Sequence, residues 1–173
     1  MQPTFTSSRI LLPVRPGFIF FSLSLALLLN FLPTAQWPGI PDWLALVLAF
    51  WCIREPRYIG MGGAFLLGLC MDVADGAVLG QHSFAYVLLA YTATRQSRRI
   101  LWFPLAQQAI QVLPMLAGAQ LIQLVLRFLA GAEFPGWGFL IGPLLATLLW
   151  IPLTYLLLLP QYQPVEHDAN RPL

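Results

Sequence analysis

Six apolar segments, separated by short polar or proline-containing stretches, make up most of this sequence. Of its 173 residues, 58% are hydrophobic and only 9% are charged, whereas a soluble domain carries about 25% charged residues. So few charges cannot cover a folded core with a water-facing surface, and the chain therefore needs lipid as its solvent. We predict an all-α integral membrane protein with about six transmembrane helices.

The predicted spans follow the apolar runs. They cover residues 17–32, 42–53, 58–75, 79–94, 104–130 and 137–159, within a single six-helix domain over residues 1–160. The polar residues 161–173 are predicted to form a disordered cytoplasmic tail. A bilayer crossing takes about 20 helical residues. The second and third segments are short by this measure, and the fifth is long and contains Pro104 and Pro114.

The placement of arginine predicts the orientation. All nine basic residues are Arg. With six spans, eight of them, including Arg9 and Arg171, fall on one side of the membrane, and only Arg127 falls on the other. The positive-inside rule then places both termini in the cytoplasm. The topology determinants are Arg15, Arg54, Arg57 and a basic loop with Arg95, Arg98 and Arg99. The same arginines could instead contact anionic lipid or a cytoplasmic filament.

Small residues recur every four positions in the third segment. Gly60, Ala64 and Gly68 are followed at the same interval by Asp72. This spacing puts them on one helix face, where small side chains allow two helices to approach closely in lipid. The face has two interpretations: packing within the chain, or recognition of a helix of a partner protein.

Glutamines are concentrated in the fifth segment, at Gln107, Gln108, Gln111, Gln120 and Gln123. Amides in a membrane interior need polar partners. Gln111 and Gln120 point to opposite sides of a helix, so the set does not form one stripe along a channel. Interhelical hydrogen bonding and a solute pathway both remain open.

Several functional classes are disfavoured. The net charge of +2 suggests no nucleic-acid binding, and the absence of Lys excludes a phosphate loop of the Walker type. His82 and His167 are isolated in sequence, and no spacing typical of a metal site is present. Ser83 is adjacent to His82, and neighbours in sequence cannot form a catalytic relay by themselves. We expect no catalytic residues, cofactor or metal.

Residues 50–91 carry the most specific pattern. It consists of Phe50-Trp51, Pro56, Gly60-x-Gly62, Gly68-Leu69-Cys70-Met71-Asp72, Gly76, Leu79-Gly80-Gln81-His82, Ala85-Tyr86 and Tyr91. This pattern resembles the signature of the MreD family, the rod shape-determining membrane proteins of bacteria. Chain length, six spans and Leu28-Leu29-Asn30 with Pro33 in the first segment agree with that family. Asp75 departs from the pattern, which has a small neutral or hydroxylated residue there.

The resemblance implies a non-enzymatic scaffold of the cell-elongation (rod) complex in the bacterial inner membrane, which organises lateral peptidoglycan synthesis. The implied partners are an MreC-like single-span protein, the actin-like MreB, RodZ, and the glycosyltransferase and transpeptidase of wall synthesis. The implied fold is similar to the substrate-binding subunits of energy-coupling factor transporters. Because that fold contains a cavity, a solute-binding transporter subunit is the alternative function. The expected partner or packing residues are Pro56, Gly60, Ala64, Gly68, Asp72, Gly76, Gly80, Gln81 and His82.

Overall fold

The computed structural model describes residues 14–32 and 39–161, and within these ranges it contains six α-helices and no strand. The helices are α1 (Pro16–Asn30), α2 (Trp43–Arg54), α3 (Met61–Ala74), α4 (Gln81–Leu101), α5 (Leu105–Leu129) and α6 (Gly142–Leu158). Short 3-10 helices precede α6 (Trp137–Ile141) and follow it (Leu159–Gln161). The predicted all-helical class is confirmed.

Helix α2 forms the centre of the bundle. Every residue from 44 to 53 is buried, and the helix packs against α1, α4 and α6. Trp51 makes an edge-on contact with Phe18, and its indole nitrogen donates a 2.8 Å hydrogen bond to Ser22 Oγ. Phe50 packs against Trp150 with ring centroids 5.9 Å apart. With only 12 residues, α2 is about 18 Å long, and burial in protein on all sides removes its need to match the bilayer thickness.

The fourth segment differs most from the sequence prediction. Helix α4 continues to Leu101, so the predicted basic loop at residues 95–99 is wrong. Arg and Gln are good helix formers, and no Gly or Pro interrupts the chain before Pro104. Arg98 and Arg99 lie in the last turn, where positive charge is favoured by the helix dipole.

The other helix ends differ less from the predicted bounds. α3 begins three residues later than the predicted span, and α6 is preceded by a 3-10 turn. Pro104 is the N-cap of α5, while Pro114 lies inside that helix. Arg9, Pro33, Arg171 and the predicted tail beyond Gln161 lie outside the described residues.

The outer surface of the bundle is rich in bulky apolar side chains, among them Phe21, Leu66, Val73 and Leu148. The segments 105–129 and 137–161 are each long and apolar enough to cross a membrane. Trp102 and Trp137 flank α5 at its two ends and are 90% and 79% exposed. Trp at this level of a helix bundle is typical of the two membrane–water interfaces.

Candidate functional site

The Asp72 carboxylate, in the last turn of α3, closes the amino-terminal end of α4. Asp72 is 1% exposed. It accepts backbone hydrogen bonds from Gly80 (2.8 Å) and His82 (2.7 Å), and a hydroxyl hydrogen bond from Ser83 (2.9 Å). The N-cap residue of α4 is Gly80, which has no side chain to accept these hydrogen bonds. A carboxylate from the preceding helix therefore caps α4 and compensates its positive dipole end.

Gly68, one turn before Asp72, allows the two helices to approach closely enough for this contact. A Cβ atom at Gly68 would lie 2.5 Å from the Ser83 nitrogen and 2.8 Å from the His82 carbonyl carbon. Ala64, one further turn back, is fully buried. The small-residue face of α3 packs against α4 within the chain, and Gly60, which is exposed, does not take part.

A second carboxylate, the partly buried Asp42, joins α1, α2 and α4. Asp42 caps α2 through the Ala45 nitrogen (2.9 Å) and accepts a hydrogen bond from the Tyr86 hydroxyl of α4 (2.7 Å). The Asn30 amide, at the end of α1, donates to Asp42 (2.8 Å), and its carbonyl accepts from the Trp43 nitrogen (3.0 Å). The ends of α1 and α3 therefore meet the beginnings of α2 and α4 at one end of the bundle.

His82 connects the two carboxylate clusters. Its Nδ1 lies 3.0 Å from Asp72, its Nε2 lies 3.7 Å from the half-exposed Asp75, and its ring contacts Tyr86 edge-on at 5.9 Å. Asp75 belongs to the loop after α3. Burial raises the pKa of the Asp75 carboxyl, and the neighbouring Asp42 and Asp72 carboxylates add to the increase, while His82 and Arg127 oppose it.

The arrangement does not form a nucleophile–base pair. His82 and Ser83 both donate to the Asp72 carboxylate, so the serine hydroxyl is directed at the acid rather than at the imidazole. Within residues 14–32 and 39–161, no group of three or more His, Cys, Asp or Glu side chains is placed to hold a metal ion. The polar atoms here are used to cap helices.

A cavity of about 940 Å³ opens beside these clusters, between the helix ends. Its polar lining comes from α1, α4, α5 and the residues that cap α2 and α3: Asn30, Asp42, Asp75, Gln81, His82, Gln120, Gln123 and Arg127. Gln120 donates a hydrogen bond to the Phe139 carbonyl and so joins α5 to the chain before α6. Leu116 and Ala146 contribute to the apolar part of the wall.

The remaining expected residues fall in different places. Gly76 and Gly80 have positive φ angles of 60° and 104° and form the turn between α3 and α4. Pro56 lies in the connection between α2 and α3, away from the cavity. The arginines expected to set the topology lie at the opposite ends of the helices: Arg15, Arg54, Arg57, Arg95, Arg98 and Arg99.

Sequence reasoning named Asn30 and Tyr86 only as members of the family pattern, and it gave no structural role to them or to Asp42. Each was visible as a polar residue in or beside an apolar segment. Tyr86 and Asp42 are 44 positions apart, and no spacing rule predicts that contact.

The sequence model of the MreD family, described as rod shape-determining protein MreD, matches residues 8–159. The chain belongs to the MreD family. It is also 30% identical to the rod shape-determining protein MreD of Haemophilus influenzae over 148 residues. This matched region covers 80% of this chain and 88% of that relative. No solved structure matches. Membership of MreD, together with two helices able to cross a bilayer, identifies a membrane protein of the rod-shape system, a structural family rather than a known enzyme family.

Replacing Gly68 by Ala tests the close approach of α3 and α4. The added methyl group would overlap the Ser83 backbone, and the unfolding free energy should fall by about 1–3 kcal/mol. Gly63→Ala is the matched control, because its Cβ would meet only Ile59 Cγ2 at 3.8 Å. Thermal unfolding in detergent measures the stability of both variants. Equal stability of the two variants would contradict the packing described for Gly68.

Proposed function

We propose that this chain is a six-span scaffold of the inner membrane that binds an MreC-like single-span protein in the cell-elongation complex, without catalysing a reaction. Through that partner it would act, directly or indirectly, with MreB, RodZ and the wall-synthesis glycosyltransferase and transpeptidase. The observation that carries the proposal is the MreD match across residues 8–159. The use of the Asp42 and Asp72 carboxylates as helix caps supports a structural role.

The charges at the two ends of the bundle support a cytoplasmic location of both termini. The end with Asp42, Asp72 and Asp75 also carries Arg127, whereas the opposite end carries six described arginines. Positive charge is retained on the cytoplasmic side of membrane proteins. The carboxylate clusters and the cavity would therefore face away from the cytoplasm.

Single cysteines at Trp102 and Glu133 test this orientation. Both positions are exposed and lie at opposite ends of α5. In a background with Cys52→Ala and Cys70→Ser, a membrane-impermeant maleimide added to spheroplasts should label Glu133→Cys. Trp102→Cys should react only after lysis. Labelling with the reverse pattern, or of both sites from outside, would refute the proposed topology.

The outer face of α3 is the surface we propose for the partner helix. Gly62, Leu66, Cys70 and Val73 lie along it and are exposed, while the opposite face of α3 packs on α4. A Cβ at Gly62 would have no atom within 4 Å among the described residues. A small residue beside exposed Leu and Val side chains gives a second helix room to approach closely.

Gly62→Leu should lower recovery of a co-expressed MreC-like protein about tenfold, because a bulky side chain at a close helix contact costs on the order of 1–3 kcal/mol. Pull-down in mild detergent with quantitative mass spectrometry measures the loss. In cells, the same variant should cause rounding at normal protein levels.

Gly118→Leu on α5 is the matched control, since that position also has open space around its Cβ. Gly68→Leu is unsuitable for this purpose, because it would disturb the contact between α3 and α4. Normal partner recovery with Gly62→Leu, or equal losses with Gly62→Leu and Gly118→Leu, would exclude the outer face of α3 as the partner surface.

The large cavity among the helix ends supports the proposed similarity to the energy-coupling factor substrate-binding subunits. Transport is less well supported. Gln120 and Gln123 line the cavity, but the Gln108 amide donates a hydrogen bond to the Phe103 carbonyl near the other end of α5. Gln111 lines a separate, smaller cavity of about 230 Å³. The glutamines therefore do not line one continuous polar pathway across the bundle.

A further inference from the structure

The wall that α5 contributes to the 940 Å³ cavity carries two polar groups that lack hydrogen-bond partners among the described residues. Gln123 is 6% exposed, and its amide makes no hydrogen bond with any residue in the described parts of the chain. One turn later, Arg127 Nε is buried and also has no hydrogen-bond partner there. An unpaired buried donor such as Arg127 Nε is costly, and Gln123 lies four residues before it on the same helix and lines the same cavity.

Another part of the cavity lining is acidic. Asp75 lines the cavity from the loop after α3, and its side chain is 44% exposed. His82 Nε2 lies 3.7 Å from its carboxylate. Asp75 and Arg127 influence one another electrostatically, so the cavity carries charges of both signs. Asp42, by contrast, already accepts hydrogen bonds from Ala45, Asn30 and Tyr86.

Charges of both signs on different walls suit a ligand that also carries both. An oxyanion would accept hydrogen bonds from Arg127 and Gln123, because guanidinium groups favour phosphate and carboxylate oxygens. An ammonium group would donate to Asp75. The volume is at the upper end of the range for ligand sites, and Leu116 and Ala146 line its apolar part.

We propose that this cavity binds a phosphoethanolamine zwitterion, with its phosphate at Gln123 and Arg127 and its ammonium group at Asp75. The cavity lies where the helices end, which is the depth of lipid headgroups beside a membrane-spanning bundle. The same chemistry is available from the headgroup of phosphatidylethanolamine and from soluble glycerophosphoethanolamine. This site is separate from the proposed partner surface on α3.

Reconstitution in nanodiscs distinguishes the two sources. The delipidated protein is placed in phosphatidylcholine with phosphatidylethanolamine or phosphatidylglycerol as the second lipid, and native mass spectrometry counts the lipids retained. A thermal-shift titration with glycerophosphoethanolamine in detergent tests the soluble source. Selective retention of phosphatidylethanolamine, or a saturable shift with the soluble probe alone, supports the site and identifies its source. No binding in either assay, or equal retention of all three lipids, overturns it.

Variants assign the binding to this cavity. Gln123→Leu and Arg127→Gln should each reduce binding about tenfold, because each removes a hydrogen bond to a charged group. Gln107→Leu is the control, since Gln107 is an exposed amide on the same helix outside the cavity. Asp75→Asn should remove discrimination against phosphatidylglycerol. An equal loss with Gln107→Leu, or unchanged selectivity with Asp75→Asn in a protein of normal melting temperature, would contradict the assignment.

Discussion

A single buried carboxylate, that of Asp72, determines how α3 and α4 pack against each other in this membrane bundle. It accepts hydrogen bonds from Gly80, His82 and Ser83 and so replaces the N-cap side chain that α4 lacks. Hydrogen bonds to charged groups are worth about 1.5–3 kcal/mol each, and the donors would be left buried without the acid. The contact also requires α3 and α4 to touch at Gly68, because any larger residue would overlap the backbone of α4.

The bundle in which α3 packs on α4 has two chemically different ends, and the two faces of α3 have different surroundings. One end gathers the carboxylates of Asp42, Asp72 and Asp75 beside a large cavity, and the other carries most of the arginines. The inner face of α3 is occupied by α4, which leaves its outer face available for a partner helix. The scaffold role that we propose would use both features, because it requires one orientation in the membrane and an uncovered helix surface.

The sequence was sufficient to predict the helical class and to place Gly68 and Asp72 on one helix face, because apolar runs and four-residue spacing are local properties. It misassigned residues 95–99, since a cluster of arginines suggests a loop although those residues also favour helix near a carboxyl end. The pairing of Asp42 with Tyr86 and the cavity wall at Gln123 depend on how distant segments pack, and no local pattern carries that information. The specific motif at residues 50–91 pointed to the family before any contact was known.

The account depends most directly on the coupling between Asp72 and Ser83, which a double-mutant cycle measures. Asp72→Ala, Ser83→Ala and the double variant are compared by unfolding in detergent, with Ser97→Ala as the control for a buried serine elsewhere on α4. The account predicts a coupling free energy between about 0.5 and 3 kcal/mol for Asp72 with Ser83, and additive effects for Asp72 with Ser97. Additive effects for both pairs would contradict the claim that the Asp72 carboxylate fastens α3 to α4.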